Sequence, residues 1–289
     1  MDNIIFREKI SGIFAEERMA QTVSSMANHH IHEGTELYFQ LEGERYYFID
    51  QDTYLVKPGM AVLIHPNQIH KTCAIDNDNG YHRFLLQLES SVLKPFFALP
   101  SVPSMQIFEK NYWGVAEFPP EEWQQAMTII EMIKKEMSSK APESSDLVQL
   151  LVRQLLLLFI RCRRQQEIIT SNKYDTGSVI HNDIYQKVHD IALYLQNHLA
   201  ESCSLDELSA HFFISRSGLT RMFKSVTGFT VNEYLTVYRV RSAKTLLDKT
   251  DLSITEISLR LGFGNITYFE RVFKRLTGMT PMQYKKWEK

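Results

Sequence analysis

The sequence predicts an α+β protein of two domains, in which a β-barrel with an attached pair of helices precedes an all-α domain. Three observations predict this fold class. Residues 3–90 contain short runs of aromatic and β-branched residues between turn residues, which is the pattern of a barrel or sandwich. Two stretches with apolar residues at helical spacing follow. Near the C-terminus a fourteen-residue segment occurs twice, which indicates a duplicated unit.

Five strands are predicted for the barrel. Each run is rich in Tyr, Phe, Val, Ile or Leu, and Gly, Pro, Asn and Asp lie between the runs. We place the barrel domain at residues 1–115 and its strands at residues 37–41, 45–49, 54–56, 61–64 and 82–88.

A pair of amphipathic helices is predicted within residues 116–170. Residues 121–139 follow two prolines and have one apolar side. Residues 146–164 have a band of Leu and Val that is wider than contact with one barrel face requires. A second protomer or the barrel alone would cover this band, and the sequence leaves both open. The polar residues 165–178 predict a hinge, and we set the linker at residues 171–181.

The duplicated segment reads RMFKSVTGFTVNEY at residues 221–234 and RVFKRLTGMTPMQY at residues 271–284, with seven identical positions. Each copy is predicted as helix–turn–helix, because a capping box opens it and a glycine suited to positive φ closes it. These residues are Ser204, Glu207 and Gly228 in the first copy and Ser253, Glu256 and Gly278 in the second.

The region between and around the copies suits contact with DNA. Residues 231–247 lack Gly and Pro and predict a stiff helix of about 25 Å. Such a spacer suits recognition helices in successive major grooves, about 34 Å apart. Residues 216–289 contain 14 Lys and Arg against six Asp and Glu, a net charge of +8, whereas the whole chain has −2. This asymmetry predicts a nucleic-acid-binding end.

Residues 252–284, LSITEISLRLGFGNITYFERVFKRLTGMTPMQY, resemble the DNA-binding domain of the AraC/XylS family of bacterial transcription regulators. The resemblance implies a domain at residues 182–289 that places the second helix of each copy in the major groove of double-stranded DNA. The small Ser217 and Gly218 depart from the family pattern, which leaves open how much sequence the first copy reads. The predicted DNA-binding residues are Arg216, Ser217, Thr220, Arg221 and Lys224, and Asn265, Thr267, Tyr268, Arg271 and Lys274.

The segments HHIHEGTELYFQLEG at residues 29–43 and PNQIH at residues 66–70 resemble the two motifs of the cupin barrel, which is the sensor domain of many AraC-type regulators. In metal-binding cupins the matching residues hold one ion, and here they would be His30, His32, Glu36 and His70. Such residues also line metal-free pockets, and we expect neither metal nor cofactor. Aromatic faces beside hydrogen-bonding groups suit a carbohydrate. The predicted effector-binding residues are His30, His32, Glu36, Tyr38, Tyr46 and His70.

These features predict a sequence-specific DNA-binding regulator that responds to a small-molecule effector. The resemblance implies an activator more often than a repressor, a homodimer through residues 121–164 and, for an activator, contact with RNA polymerase. Two alternatives are a metal-dependent cupin enzyme with a DNA-binding appendage and a ligand-independent DNA-binding protein. No nucleophile, phosphate loop or acid–base pair is evident elsewhere in the sequence, so we expect no catalytic residues.

Location is predicted from what the sequence lacks. The N-terminus has no signal-peptide layout, and the longest apolar run, residues 155–160, is far too short to cross a membrane. The three cysteines have no paired spacing, which is typical of reduced thiols. We expect a bacterial cytoplasmic protein, associated with the nucleoid and without a membrane partner.

Overall fold

A computed structural model describes residues 2–20, 34–66, 68–74, 80–102, 112–139, 141–169, 183–201 and 204–287. The chain forms two compact units, Met1–Ile180 and His181–Lys289, and each is described by itself. The predicted effector residues His30 and His32, and the predicted linker at residues 171–181, lie outside the described residues.

The first unit contains two antiparallel sheets. One has six strands in the order β1-β2-β8-β3-β6-β9, and the other has three in the order β5-β4-β7. The strands are β1 (Asp2–Ile10), β2 (Ile13–Ala20), β3 (Thr35–Glu42), β4 (Arg45–Ile49), β5 (Asp52–Val56), β6 (Met60–Ile64), β7 (His70–Ala74), β8 (Tyr81–Leu88) and β9 (Gly114–Glu117).

All five predicted strands are present, with some bounds extended by one or two residues. Four of the described strands were not predicted: β1, β2, β7 and β9. In β7 a histidine, a lysine and a threonine come first, and β9 has only four residues, so neither forms the apolar run that predicts a strand.

Among the described residues, three helices accompany the sheets: α1 (Ser90–Phe97), α2 (Pro120–Ser138) and α3 (Ser144–Ile169). The second and third are the predicted pair. The prediction that the hinge starts at residue 165 is wrong, because α3 continues through residues 165–169. Glutamine and glutamate in this stretch are good helix formers, so polarity alone does not end the helix.

The six-stranded sheet has two buried faces. Leu37 and Phe39 of β3 join Ile130 of α2 and Phe159 of α3 in one apolar cluster. The alternate residue Tyr38 belongs to a second cluster, which includes residues of the three-stranded sheet. Because side chains alternate along a strand, one face of the large sheet packs on the helices and the other faces the small sheet. The second face is called the inner face below.

The second unit is all helical, which confirms the predicted fold class. Its helices are α4 (Asp183–Asn197), α5 (Leu205–His211), α6 (Arg216–Thr227), α7 (Val231–Lys249), α8 (Ile254–Arg260), α9 (Ile266–Thr277) and α10 (Pro281–Trp287). The two helix–turn–helix units are α5–α6 and α8–α9, joined by the predicted rod α7. Across the part of the chain that the structure describes, no helix has the length and apolarity to span a bilayer.

The local signals for these helices are confirmed. Both hydrogen bonds of the capping box form at Ser204 and at Ser253. Gly228 and Gly278 follow α6 and α9 with φ of 83° and 75°. Each glycine donates its backbone N–H to the lysine carbonyl four residues earlier, so both units end with the same left-handed cap.

The repeated residues also pack alike. Phe223 of α6 meets Tyr234 of α7 edge to face, with ring centroids 5.2 Å apart. Phe273 of α9 meets Tyr284 of α10 in the same way at 5.6 Å. Both phenylalanines are fully buried. The duplication in the sequence is therefore a duplication of the packing that fixes each recognition helix against the helix after it.

Candidate nucleic-acid interface and ligand pocket

The second helix of the first helix–turn–helix unit, α6, has an exposed polar side. Arg216, Ser217 and Arg221 are exposed, Thr220 is half-buried, and the four line a shallow open depression. Their spacing of three to five residues puts them on neighbouring turns of one helix face. Lys224, one turn further, is also exposed. The structure thus brings together the five residues predicted for the first helix–turn–helix unit.

The polar contacts on α6 leave its cations accessible. Arg216 lies 3.3 Å from Asp206 of α5, but both side chains are largely exposed, so this ion pair is worth little. Arg221 donates a hydrogen bond from Nε to the backbone carbonyl of Ser217 at 3.4 Å, so the side chain lies along the helix up to Nε. The rest of its guanidinium retains donors for a base or a phosphate.

The second recognition helix, α9, presents Thr267, Tyr268, Arg271 and Lys274, all of them exposed. The Arg271 guanidinium lies over the Tyr268 ring, with its central carbon 5.5 Å from the ring centroid. Stacking of this kind holds an arginine in a narrow range of directions. The core side of the same helix is formed by Phe269, Val272 and Phe273, so the exposed side is fixed by their burial.

Asn265, also predicted to contact DNA, has a structural task. Its Oδ1 accepts hydrogen bonds from the backbone N–H groups of Thr267 at 2.7 Å and Tyr268 at 3.3 Å. It is the N-cap of α9, and its side-chain oxygen is engaged by the helix.

Buried polar side chains lie between the two sheets of the first unit. Glu36 of β3 accepts a hydrogen bond from the Tyr47 hydroxyl at 3.0 Å and one from the Gln87 amide at 3.5 Å. Its Oε2 lies 3.9 Å from Nε2 of His70, whose Nδ1 faces the Gln68 carbonyl at 2.9 Å. The structure therefore brings together Glu36 and His70 of the predicted set.

Tyr38 lies on the same inner face. Its ring centroid is 5.3 Å from that of Tyr47, and its hydroxyl donates to Oε1 of Gln40 at 2.5 Å. Burial raises the pKa of both tyrosines well above the ordinary value, so both hydroxyls remain protonated and act as hydrogen-bond donors.

Tyr46, in contrast, does not belong to this cluster. It precedes Tyr47 on β4, and successive residues of a strand point to opposite faces. The prediction that Tyr46 shares the pocket with Glu36 is wrong, and Tyr47 takes that position. Both residues are aromatic, so residue type alone does not show which one faces inward.

Sequence reasoning also missed two arginines, of which Arg45 is buried and Arg83 is half-buried. Arg45 of β4 is 2% exposed, and its guanidinium lies 4.2 Å from the centroid of the Tyr81 ring. Arg83 of β8 lies opposite Gln40 in the strand register and donates to Glu16 of β2. Alternation links Arg45 to Tyr47, two residues later on the same strand. Only the β3–β8 register shows that Arg83 lies opposite Gln40.

The family model described as AraC-like ligand binding domain matches residues 12–160, more than half of the chain. The chain belongs to the AraC family. A model described as helix-turn-helix domain matches residues 208–286, which include both recognition helices. This AraC-family protein therefore has an effector-binding domain followed by a DNA-binding domain, as the resemblance implied.

Relatives of this AraC-family chain match nearly its full length. The HTH-type transcriptional activator RhaR of Salmonella dublin is 25% identical over 284 residues, 94% of this chain and 93% of that protein. Among solved structures, ToxT of Vibrio cholerae is 13% identical with a TM-score of 0.43, over 98% of this chain and 100% of that one. The DNA-binding domain of AdpA with its target DNA is 30% identical with a TM-score of 0.33, over 34% and 88%.

A metal site in this AraC-family barrel would require the four residues matched to metal-binding cupins, His30, His32, Glu36 and His70. Two of them, Glu36 and His70, approach one another as described above, and the other two lie outside the described residues. Within the ranges that the structure describes, no group of three or more His, Cys, Asp or Glu is placed to hold a metal ion.

Proposed function

We propose that this AraC-family regulator is an activator that binds promoter DNA through α6 and α9 and takes a small effector between its two sheets. The observation that supports the DNA-binding part is the recurrence of an exposed arginine at one position of each recognition helix, Arg221 and Arg271. Both are five residues after the first residue of their helix. Each unit therefore offers a guanidinium that can bind O6 and N7 of a guanine.

Other exposed residues of these helices complete the proposed interface. Thr220 and Thr267 offer hydroxyls and methyl groups to base edges. Arg216, Lys224 and Lys274 supply positive charge for the phosphates on either side. Asn265 contributes through the N-cap that sets the direction of α9.

The proposed effector pocket is the polar cluster on the inner face. Tyr38 and Tyr47 supply hydroxyl donors and aromatic faces, and Glu36 and Gln40 supply acceptors. A carbohydrate has ring faces and hydroxyls that match this combination. We propose an effector of that type, bound without a metal, because both oxygens of Glu36 already accept hydrogen bonds.

The proposed homodimer uses part of residues 121–164. Most of the apolar band of α3 is buried within the unit, including Leu151 and Leu155. Three large apolar side chains are left exposed where α2 ends and α3 begins, namely Met132, Leu147 and Leu150. A second copy that covers these residues would form a two-fold interface, in which the same patch meets itself.

We further propose that the protein is cytoplasmic, associates with the nucleoid, has no catalytic activity and, as an activator, contacts RNA polymerase. The full-length match to a transcriptional activator supports this reading. Effector binding would act on DNA binding by its different affinity for two arrangements of the protein.

The proposed function is tested by selection of bound fragments from genomic DNA with the full-length protein, followed by footprinting. A sequence pattern with two half-elements about one helical turn apart is expected. If the protein retains scrambled competitor DNA as strongly as it retains any selected fragment, a sequence-specific regulator is rejected. The double variant R221A/R271A is expected to lose the preference while it keeps weak, salt-sensitive binding.

A further inference from the structure

The two recognition helices hold their arginines differently, although Arg221 and Arg271 lie at matching positions. The Arg271 guanidinium lies over the ring of Tyr268, with its central carbon 5.5 Å from the ring centroid. The two residues are three positions apart on α9 and therefore lie on one side of the helix. A guanidinium is attracted to the face of an aromatic ring, so Tyr268 limits the directions that Arg271 takes.

The Tyr268 ring has a support of its own. Its centroid lies 6.2 Å from that of Phe263, which is buried with 3% of its surface exposed. The Phe263 ring packs against Phe269 at 4.8 Å between centroids, and the guanidinium of Arg239 in α7 lies over it at 5.7 Å. A row of contacts therefore connects the core of this helix–turn–helix unit with the Arg271 guanidinium.

The donors of Arg271 remain available to DNA. Among the residues that the structure describes, no hydrogen bond or ion pair engages its guanidinium. Stacking uses the flat face of a guanidinium and leaves the N–H groups in its plane free to donate. Tyr268 is 43% exposed, so the stacked pair lies at the surface. Arg271 is therefore held in direction and still able to bind two acceptors of one base.

The first recognition helix lacks this support. Gly218 and Tyr268 are each the third residue of their helix, so glycine occupies the place of the ring. Arg221 instead donates a hydrogen bond from Nε to the backbone carbonyl of Ser217 at 3.4 Å. A hydrogen bond of this length is weak and orients the guanidinium less than stacking does.

The cap of α6 favours the glycine. Ser215 is the N-cap, and its Oγ accepts a hydrogen bond from the backbone N–H of Gly218 at 3.2 Å. An added Cβ at Gly218 would lie 2.9 Å from the same oxygen, closer than such atoms normally approach. In α9 the N-cap is Asn265, whose Oδ1 accepts from the N–H groups of Thr267 and Tyr268. The cap and the third residue of the helix therefore differ together between the two units.

We infer that Tyr268 is a positioning residue for sequence recognition, which directs Arg271 at a guanine and makes the second helix–turn–helix unit discriminate more strictly than the first. This inference rests on the proposed DNA contacts. An arginine that is already directed loses less conformational freedom when it binds. If the base is wrong, its donors stay unpaired, whereas an arginine without such support turns to a phosphate.

The first experiment compares the two units. Fragment selection with the full-length protein, Arg221→Ala and Arg271→Ala identifies the base pair whose guanine preference each arginine supplies. Each of these base pairs is then replaced by A·T in the selected DNA, and the affinity for both DNAs is measured at one salt concentration. The ratio of the two affinities, the guanine discrimination, is expected to be larger at the Arg271 position. Equal ratios, or a larger ratio at the Arg221 position, overturn the inference.

The second experiment changes the ring. Tyr268→Leu and Tyr268→Gln remove the aromatic face but keep good helix formers, and melting temperatures show which of them folds like the unaltered protein. Guanine discrimination at the Arg271 position is expected to fall by about three- to tenfold, the size expected when one side chain loses its pre-organisation. Tyr268→Phe keeps the ring and is expected to retain most of the discrimination. If Tyr268→Phe loses as much as the other two variants, the hydroxyl contacts DNA directly and the inference is overturned.

A double-mutant cycle separates positioning from an independent contact. If Tyr268 acts through Arg271, Tyr268→Leu has little further effect on DNA binding once Arg271→Ala is present. The matched control cycle combines Tyr268→Leu with Arg221→Ala. The two effects on binding free energy should add there, because these residues lie on different recognition helices. An effect of Tyr268→Leu that is equal with and without Arg271 contradicts the positioning role.

Failure of this inference and failure of the proposed function give different results. If the unaltered protein selects no sequence pattern, the proposed function is rejected. If it selects a pattern and the ring-free variants discriminate as the unaltered protein does, the inference is rejected and the regulator is kept. If Arg271→Ala weakens binding to all DNAs equally, Arg271 contacts a phosphate, and the inference fails together with the proposed guanine contact.

Discussion

Phe213 and Gly262 hold the same place in the two helix–turn–helix units, two residues after the first helix ends, and both have a positive φ, 54° and 70°. Glycine adopts this conformation without strain, whereas the Cβ of phenylalanine opposes it. The Phe213 side chain is 96% exposed, so burial does not offset the strain. The two turns have the same backbone conformation, but this conformation is strained at Phe213 and unstrained at Gly262.

Phe213→Gly is expected to leave the free energy of unfolding unchanged or raise it by up to about 1.6 kcal/mol. Relief of the left-handed strain, about 1–2 kcal/mol, is partly cancelled by the added freedom of glycine in the unfolded chain, about 0.4–1 kcal/mol. The melting temperature of the full-length protein measures the change. A clear loss of stability would mean that the ring packs against something despite its exposure.

The matched substitution in the second helix–turn–helix unit should change stability in the opposite direction. An added Cβ at Gly262 would overlap the backbone carbonyl of Ala200, and the φ of 70° disfavours any side chain. Gly262→Ala is therefore expected to destabilise the protein by more than about 1 kcal/mol. Equal melting of both variants would contradict the assignment of these turns as equivalents.

Arg271→Ala is expected to cost about 1–3 kcal/mol of binding to the selected DNA, because a bidentate contact to guanine would be lost. Binding to random DNA should change much less. The measurement is a titration of both DNAs by fluorescence anisotropy at one salt concentration. A loss of equal size on both DNAs would identify Arg271 as a phosphate contact.

Lys274→Ala is expected to change the salt dependence and not the sequence preference. A lysine that neutralises one phosphate releases about one counterion, so the slope of log affinity against log salt should fall by about one unit. The same titrations repeated at several salt concentrations give this slope. Lys94 of the first unit is exposed and remote in sequence from both recognition helices, so Lys94→Ala serves as the control with an unchanged slope.

Phe273→Ala is expected to destabilise the protein by about 3–5 kcal/mol, since it removes a fully buried ring from contact with Phe269 and Tyr284. Thermal unfolding of the full-length protein checks this. Phe213→Ala provides a control with the same chemical change at an exposed site, and its melting temperature should differ little. If the two variants melt alike, Phe273 is not a core residue.

The parts of the fold that the sequence could predict are those with local causes. A Ser-x-x-Glu box or a glycine after an apolar stripe determines its own hydrogen bonds within a few residues, so the helix ends around Ser204, Gly228 and Gly278 were found. The packing of Phe223 on Tyr234 recurs in the second copy as Phe273 on Tyr284, because both residues recur at one offset.

The inner face of the barrel could be predicted only in part, because its composition depends on the phase of each strand. Strands buried on both faces have apolar or aromatic residues at successive positions, so alternation does not show which residue points inward. For this reason the sequence predicts Tyr46 at the position that Tyr47 occupies. The meeting of Glu16, Arg18 and Arg83 depends on strand registers across 67 residues of sequence, and no local pattern records it.

The proposed homodimer gives a last prediction. Leu150 is 57% exposed at the start of α3, and Met132 and Leu147 are also exposed. A charged side chain in a self-complementary apolar patch meets its own copy, and like charges at such a contact oppose association. Leu150→Glu is therefore expected to shift the full-length protein from dimer to monomer in sedimentation velocity at micromolar concentration. Leu193→Glu, at an exposed leucine of α4 in the other unit, should remain a dimer. If the unaltered protein is a monomer, the proposed homodimer does not form. If the Leu150→Glu variant still sediments as a dimer, the dimer interface lies elsewhere on the protein.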